Sequence, residues 1–77
     1  MRKLSYRVLL RKEPEGGYTV IVPSLPGCIT YGKNVEEAIE MARDAIKLYV
    51  ESLVEDGEEV PVEDELLECR LTVEAHA

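Results

Sequence analysis

Two cysteines, one histidine and sixteen acidic side chains are the residues of this 77-residue chain that could do chemistry. Cys28 and Cys69 form no CxxC pair, and the histidine is His76, next to the chain end. A zinc site needs closely spaced Cys and His ligands, and a Cys–His nucleophilic pair would have to recruit that terminal residue. Each cysteine has apolar neighbours, where a free thiol behaves as a small hydrophobe, so both are expected to be buried and inert. Two-metal phosphodiester cleavage needs converging carboxylates, some of them on strands. Residues 4–11 and 18–31, the strand-like stretches, contain neither Asp nor Glu. The acids fall instead on one side of an expected helix and in residues 55–68, where a solvated face and a loop account for them. There is no phosphate loop, no GxSxG and no HExxH, and Gly27 and Gly32 read as backbone necessities. No catalytic residue, metal or cofactor is expected.

Charge narrows the partners. The formal net charge is −7, which repels nucleic-acid phosphates unless basic residues cluster. Arg2, Lys3, Arg7 and Arg11 make a modest patch, with only Tyr6 placed for base stacking. A basic protein partner fits the field better. With 45% hydrophobic residues the chain is globular rather than disordered. Its length allows one small domain, residues 1–77, with a thin core that favours an oligomer or a partner. No apolar run is long enough to span a membrane and no charged-then-apolar leader opens the chain, so a cytoplasmic location is expected. The absence of Gln, the single Asn and the many Glu lean towards a thermophilic source.

The elements that would position these residues follow from periodicity. Residues 4–11 alternate: Leu4, Tyr6, Val8 and Leu10 share one face, and Ser5, Arg7, Leu9 and Arg11 share the other. Pro14-Glu15-Gly16-Gly17 reads as a hairpin turn, residues 18–22 as a second strand stopped by Pro23, and Pro26-Gly27 as the centre of a type II turn. Residues 28–31 make a short third strand ended by Gly32. Asn34 then caps a helix, with Glu37 three residues on, and Gly57 stands where a left-handed C-terminal cap belongs. Val35, Ile39, Ala42, Ile46, Tyr49, Val50 and Leu53 recur at helical spacing as its core stripe. After an acidic connector with Pro61, Leu67, Cys69, Leu71, Val73 and Ala75 alternate with polar residues as a fourth strand, expected to pair parallel to an earlier one through a right-handed crossover. The expected fold is α+β: a two-layer β-β-β-α-β sandwich, one helix on a four-stranded sheet.

Gly16-Gly17-Tyr18-Thr19-Val20-Ile21-Val22-Pro23-Ser24-Leu25-Pro26-Gly27-Cys28, then Gly32, Glu36-Glu37-Ala38-Ile39, Ala45-Ile46, Asp56-Gly57-Glu58 and Pro61 resemble the HicB-like antitoxins. The resemblance implies a partial RNase H-like fold and the antitoxin role of a type II toxin–antitoxin pair. It implies as partner a small, basic HicA-like toxin that cleaves mRNA and is neutralised by direct masking, and it implies a homo-oligomer, dimer or tetramer. Longer members of that family carry a C-terminal DNA-binding module; this chain ends at Ala77, directly after the last expected strand, so no direct DNA binding is expected. A stand-alone RNA-binding or RNA-processing module on an RNase H-like sheet, and a homo-oligomeric scaffold without a toxin, are the alternatives.

Some apolar residues remain once the core is assigned. Leu9 and Ile21 oppose the core-facing sets of their strands, with Tyr31 joining them, and a single helix leaves that sheet face open. Such a patch marks an interface for self-association or a partner. Met41 and Leu48 lie seven apart on a helix flank and form a second candidate surface. Tyr6, Tyr18 and Tyr49 read as core or boundary aromatics.

Overall fold

In a computed structural model, which describes residues 3–76, three strands form one antiparallel sheet in the order β1 (Leu9–Lys12), β2 (Tyr18–Ile21) and β3 (Ile29–Gly32). The register pairs Leu9 with Ile21, Leu10 with Val20 and Lys12 with Tyr18; β2 then pairs Val20 with Thr30 and Ile21 with Ile29. The first strand is shorter than the alternation of residues 4–11 predicts. Continued past Leu9, the register would set Arg7 opposite Pro23, which has no N–H to offer a ladder. Residues 4–8 therefore stand outside the assigned strand, and Tyr6, Val8 and Leu10 still pack against the core as expected.

Between β2 and β3 the chain closes a compact loop. Leu25 N–H donates to the Val22 carbonyl, Cys28 N–H to the Leu25 carbonyl and Val22 N–H to the Cys28 carbonyl. Pro26 and Gly27, the latter at φ +82°, fill the centre of the expected type II turn. The loop thereby buries Leu25 completely against Val22 and Cys28, and the Tyr49 hydroxyl donates to the Pro26 carbonyl at 2.7 Å from across the layer.

The helix α1 (Val35–Glu55) begins and ends on the residues whose chemistry predicts it. Asn34 is extended, and its side-chain oxygen accepts the Glu37 N–H at 2.8 Å. At the other end Gly57 N–H donates to the Val54 carbonyl and Glu58 N–H to the Leu53 carbonyl, the two bonds of a Schellman motif, with Gly57 at φ +70°. The stripe that faces the sheet differs from the expected one. Ala38 and Ala42 are buried, Ala45, Ile46, Tyr49, Val50 and Leu53 are half-buried, and Val35 and Ile39 are exposed. The cause is a close approach: Gly32 is buried at the end of β3, and a Cβ there would overlap the Ala38 backbone. At that spacing the sheet-facing positions of the first turns take only alanine, so the bulkier Val35 and Ile39 sit to the side.

The fourth strand is a correction. Residues 66–76 are exposed and adopt no assigned helix or strand, and among the described residues the sheet has three strands. Alternation fixes which side chains share a face, but a strand also needs a neighbour's N–H and C=O groups. Within this segment Glu68 pairs with the Arg7 guanidinium, ahead of β1. Cys69, placed in it, is exposed rather than buried, whereas Cys28 is buried and burial pushes its thiol pKa up, keeping it protonated.

The connector ahead of it is latched. The Tyr6 hydroxyl donates to the Pro61 carbonyl at 2.5 Å. The Arg7 N–H donates to both Glu63 carboxylate oxygens at 3.2 and 3.3 Å, and its guanidinium to one of them at 3.1 Å. Burial alone would raise the Glu63 carboxyl, whose side chain is 5% exposed, but the Ser24 hydroxyl, the Arg7 N–H and the Arg7 guanidinium together hold it below its ordinary range.

Two outcomes follow. Gly32→Ala forces the helix off β3 and should destabilise the fold by about 1–3 kcal/mol, read as a lowered midpoint of thermal unfolding; an unchanged midpoint would show that the approach is not a constraint. Because the folded Glu63 carboxyl titrates below its unfolded value of about 4.3, its contribution is complete at neutral pH and fades as pH falls through the folded value. Glu63→Gln should therefore be less stable at pH 7 and should flatten the acid limb of stability against pH; equal acid limbs in the two proteins would rule the latch out.

Candidate protein-binding surface

With Val20 packed on Ala38 and Ala42, the opposite set of side chains on the sheet turns away from the helix. The register arranges that set in two cross-strand rows: Leu9, Ile21 and Ile29, then Arg11, Thr19 and Tyr31. Leu9 is 44%, Ile29 61% and Tyr31 48% exposed, and Ile21, in the middle strand, is half-buried by its neighbours. The structure thus brings Leu9, Ile21 and Tyr31 to one face as the sequence predicts. The residue directly in line with Leu9 and Ile21 is Ile29, which the sequence reading passed over. Its signal was present: with Cys28 and Thr30 turned inward, Ile29 and Tyr31 must both turn out.

The second row forms a polar margin. The Tyr31 hydroxyl donates to the Gly16 carbonyl at 3.0 Å, and its ring lies where a side chain on Gly17 would stand, so Gly17 gives the ring its seat. Glu13 accepts from the Thr19 hydroxyl at 2.6 Å and from the Arg11 guanidinium at 3.1 Å. Those two donors, Thr19 foremost, hold the Glu13 carboxyl below its ordinary range. An apolar row beside a hydrogen-bonded polar margin has the layout of a protein interface, apolar within and polar at the rim.

Met41 and Leu48 are exposed, but they lie on α1, in the layer behind the sheet, and do not join this face. The basic patch expected along the first strand is neutralised within the chain. Arg7 pairs with Glu63 and Glu68, and Arg11 with Glu13. Lys3 is exposed, and Arg2 lies outside the described residues. Among the described residues no group of three or more His, Cys, Asp or Glu is placed to hold a metal ion, and no helix is long and apolar enough to cross a membrane.

Comparison with known proteins bears on what meets this face. Residues 6–76 match the family described as HicB-like antitoxin of bacterial toxin–antitoxin system. A UPF0150 protein of Synechocystis is 48% identical over 60 residues, covering 78% of this chain and 76% of that one. Antitoxin HicB of Escherichia coli is 39% identical over 59 residues, covering 77% of this chain but 43% of that protein, so the chain spans less than half of that antitoxin's length. The crystal structure of the N-terminal domain of Burkholderia pseudomallei antitoxin HicB superposes with a TM-score of 0.64 at 33% identity, covering 83% of this chain and 69% of that one. A three-stranded antiparallel sheet under one helix, shared with that domain and joined to a family match over nearly the whole length, shows that the chain belongs to the HicB-like antitoxin family.

Proposed function

We propose that this chain acts in the cytoplasm as the antitoxin of a type II pair, as one domain over residues 1–77, and neutralises a basic, HicA-like, mRNA-cleaving toxin by covering it. The observation that carries this reading is the sheet face turned away from the helix, where Leu9, Ile21 and Ile29 form an apolar row whose outer members, Leu9 and Ile29, are exposed. An acidic chain of net charge −7 draws a basic partner to that face and speeds the encounter. Ile21 lies at the centre, flanked by Leu9 and Ile29; Tyr31, held by Gly16, is a pre-ordered aromatic at the margin. Met41 and Leu48 form a separate surface on the helix, available to a second copy or to a wrapping segment of the partner.

The chemistry is masking alone, with no catalytic residue, metal or cofactor. The RNA-binding alternative loses support from the ion pairs. Arg7 and Arg11, the cations that would meet phosphates, are occupied by Glu63, Glu68 and Glu13.

Co-expression with the adjacent open reading frame tests the proposal. The chain should rescue growth from that frame's product and co-elute with it on size exclusion. Leu9→Glu and Ile21→Glu, each folded by circular dichroism, should weaken the complex by at least about 30-fold, the loss of one interface hot spot of about 2 kcal/mol. Met41→Glu should weaken it less. Undiminished binding by both sheet variants would remove the sheet face from the interface, and RNA bound in place of a protein would overturn the reading.

A further inference from the structure

Cavities lie on both sides of β1. On the helix side a groove of about 510 Å³ runs between α1 and the strand, lined by Leu4, Tyr6, Val8 and Leu10, and it is chiefly apolar. The other opens at the turn into β2. Glu13, Pro14, Glu15, Gly16 and the Tyr31 ring enclose about 520 Å³ there, open to solvent. This second cavity combines charge with an aromatic wall, and its walls are fixed before anything enters. The Gly16 N–H donates to the Glu13 carbonyl and the Glu13 N–H to the Gly17 carbonyl, both at 3.0 Å. The Tyr31 hydroxyl is anchored on the Gly16 carbonyl, so the ring stands ready.

The charges around the turn do not balance. Glu13 uses one carboxylate oxygen, Oε2, for both the Thr19 hydroxyl and the Arg11 guanidinium. Arg11 thereby offsets Glu13 and leaves Oε1 without that donor. Glu15 is exposed and forms no ion pair among the described residues. Lys12, the next cation along β1, is turned by the pleat to the opposite side of the sheet from Arg11. The cavity is left with one uncompensated carboxylate, one open carboxylate oxygen and a phenol ring. A guanidinium suits all three: its N–H groups reach carboxylates in a fixed fork while its flat face lies on an aromatic ring. An ammonium has no flat face to lay there. The cavity also joins the apolar row, because Tyr31 stands in the margin beside Ile21 and Ile29 as well as in the cavity wall.

We infer that this cavity is an arginine subsite of the partner-binding surface: one arginine of the basic protein that docks on Leu9, Ile21 and Ile29 enters at the β1–β2 turn, stacks on Tyr31 and donates to Glu15 and to Glu13 Oε1. The inference rests on the antitoxin reading, which supplies the partner, and it adds which of the partner's side chains is read and where. The apolar row supplies burial, and the subsite supplies register, since the arginine must stand at a set distance from the patch that covers Ile21.

The complex of the full chain with the product of the adjacent open reading frame tests this. Each arginine and lysine of that product is replaced in turn by glutamine, and affinity is measured against the wild-type chain, Glu15→Gln and Tyr31→Leu. Both substituted positions are exposed, so circular dichroism should be unchanged. Against the wild-type chain, loss of one arginine should weaken the complex about tenfold; against either variant, the same loss should weaken it less than about threefold. Lysine at that arginine should not restore the affinity, and Tyr31→Phe, which keeps the ring, should bind more tightly than Tyr31→Leu. A complex in which no arginine couples to both Glu15 and Tyr31, or in which a lysine does, would overturn the inference and leave the antitoxin reading standing. A chain that forms no complex with that product would remove both.

Discussion

Everything in this fold is arranged around the place where α1 meets β3. Gly32 has no side chain, and the backbone of Ala38 occupies the space one would need. A helix this close to a strand can present only small residues downward, and Ala38 and Ala42 are what it presents, packed on Val20. Further along the helix, away from Gly32, the layer opens enough for Ile46, Tyr49 and Val50 to enter and cover Val22, Leu25 and Cys28. The core is thus wedge-shaped, thin over Gly32 and thicker over the loop that Pro26 and Gly27 close. The same approach fixes the helix over β3 and β2 and away from β1. The groove beside β1 is the geometric remainder of that choice: one helix anchored at one side of a sheet cannot also fill the other.

Local chemistry was the legible part of the sequence. The Asn34 cap, the Gly57 terminus, the Pro26-Gly27 turn and the inward alternation of Tyr6, Val8 and Leu10 each depend on neighbours within a few residues, and each stands in the structure as read. What was not legible depends on distance across the fold. The helix stripe was misplaced because periodicity weighs Ile39 above Ala38, whereas the close approach to Gly32 reverses that order. Leu67, Leu71 and Val73 alternate as a strand should, but alternation carries no information about whose edge the strand will join. For the candidate surface, Leu9, Ile21 and Tyr31 were placed on one face by counting alone. Ile29 became visible only once the register set it across from Ile21.

The charges show a related division of labour. Nine basic and sixteen acidic residues would give a patchy surface if each acted alone. Instead Arg7, just ahead of the first strand, and Arg11, within it, are held by carboxylates of the same chain, while Lys12 is exposed. Exposed pairs of this kind contribute little stability. Their larger effect is on the field: with these two cations taken up, acids outnumber bases along α1, and the chain keeps a net charge of −7. Glu63 is the exception in energetic terms, since its carboxylate is nearly buried and also satisfies the Arg7 N–H that the ladder, ending at Leu9, leaves over.

The open sheet face and the edge groove can both be used at once, because they lie on different sides of β1. Leu9 and Arg11 belong to the first, Leu4, Tyr6, Val8 and Leu10 to the second, and a β-strand separates the two sets by its own pleat. A partner seated on the Leu9–Ile21–Ile29 row therefore meets none of the even-numbered side chains that line the groove.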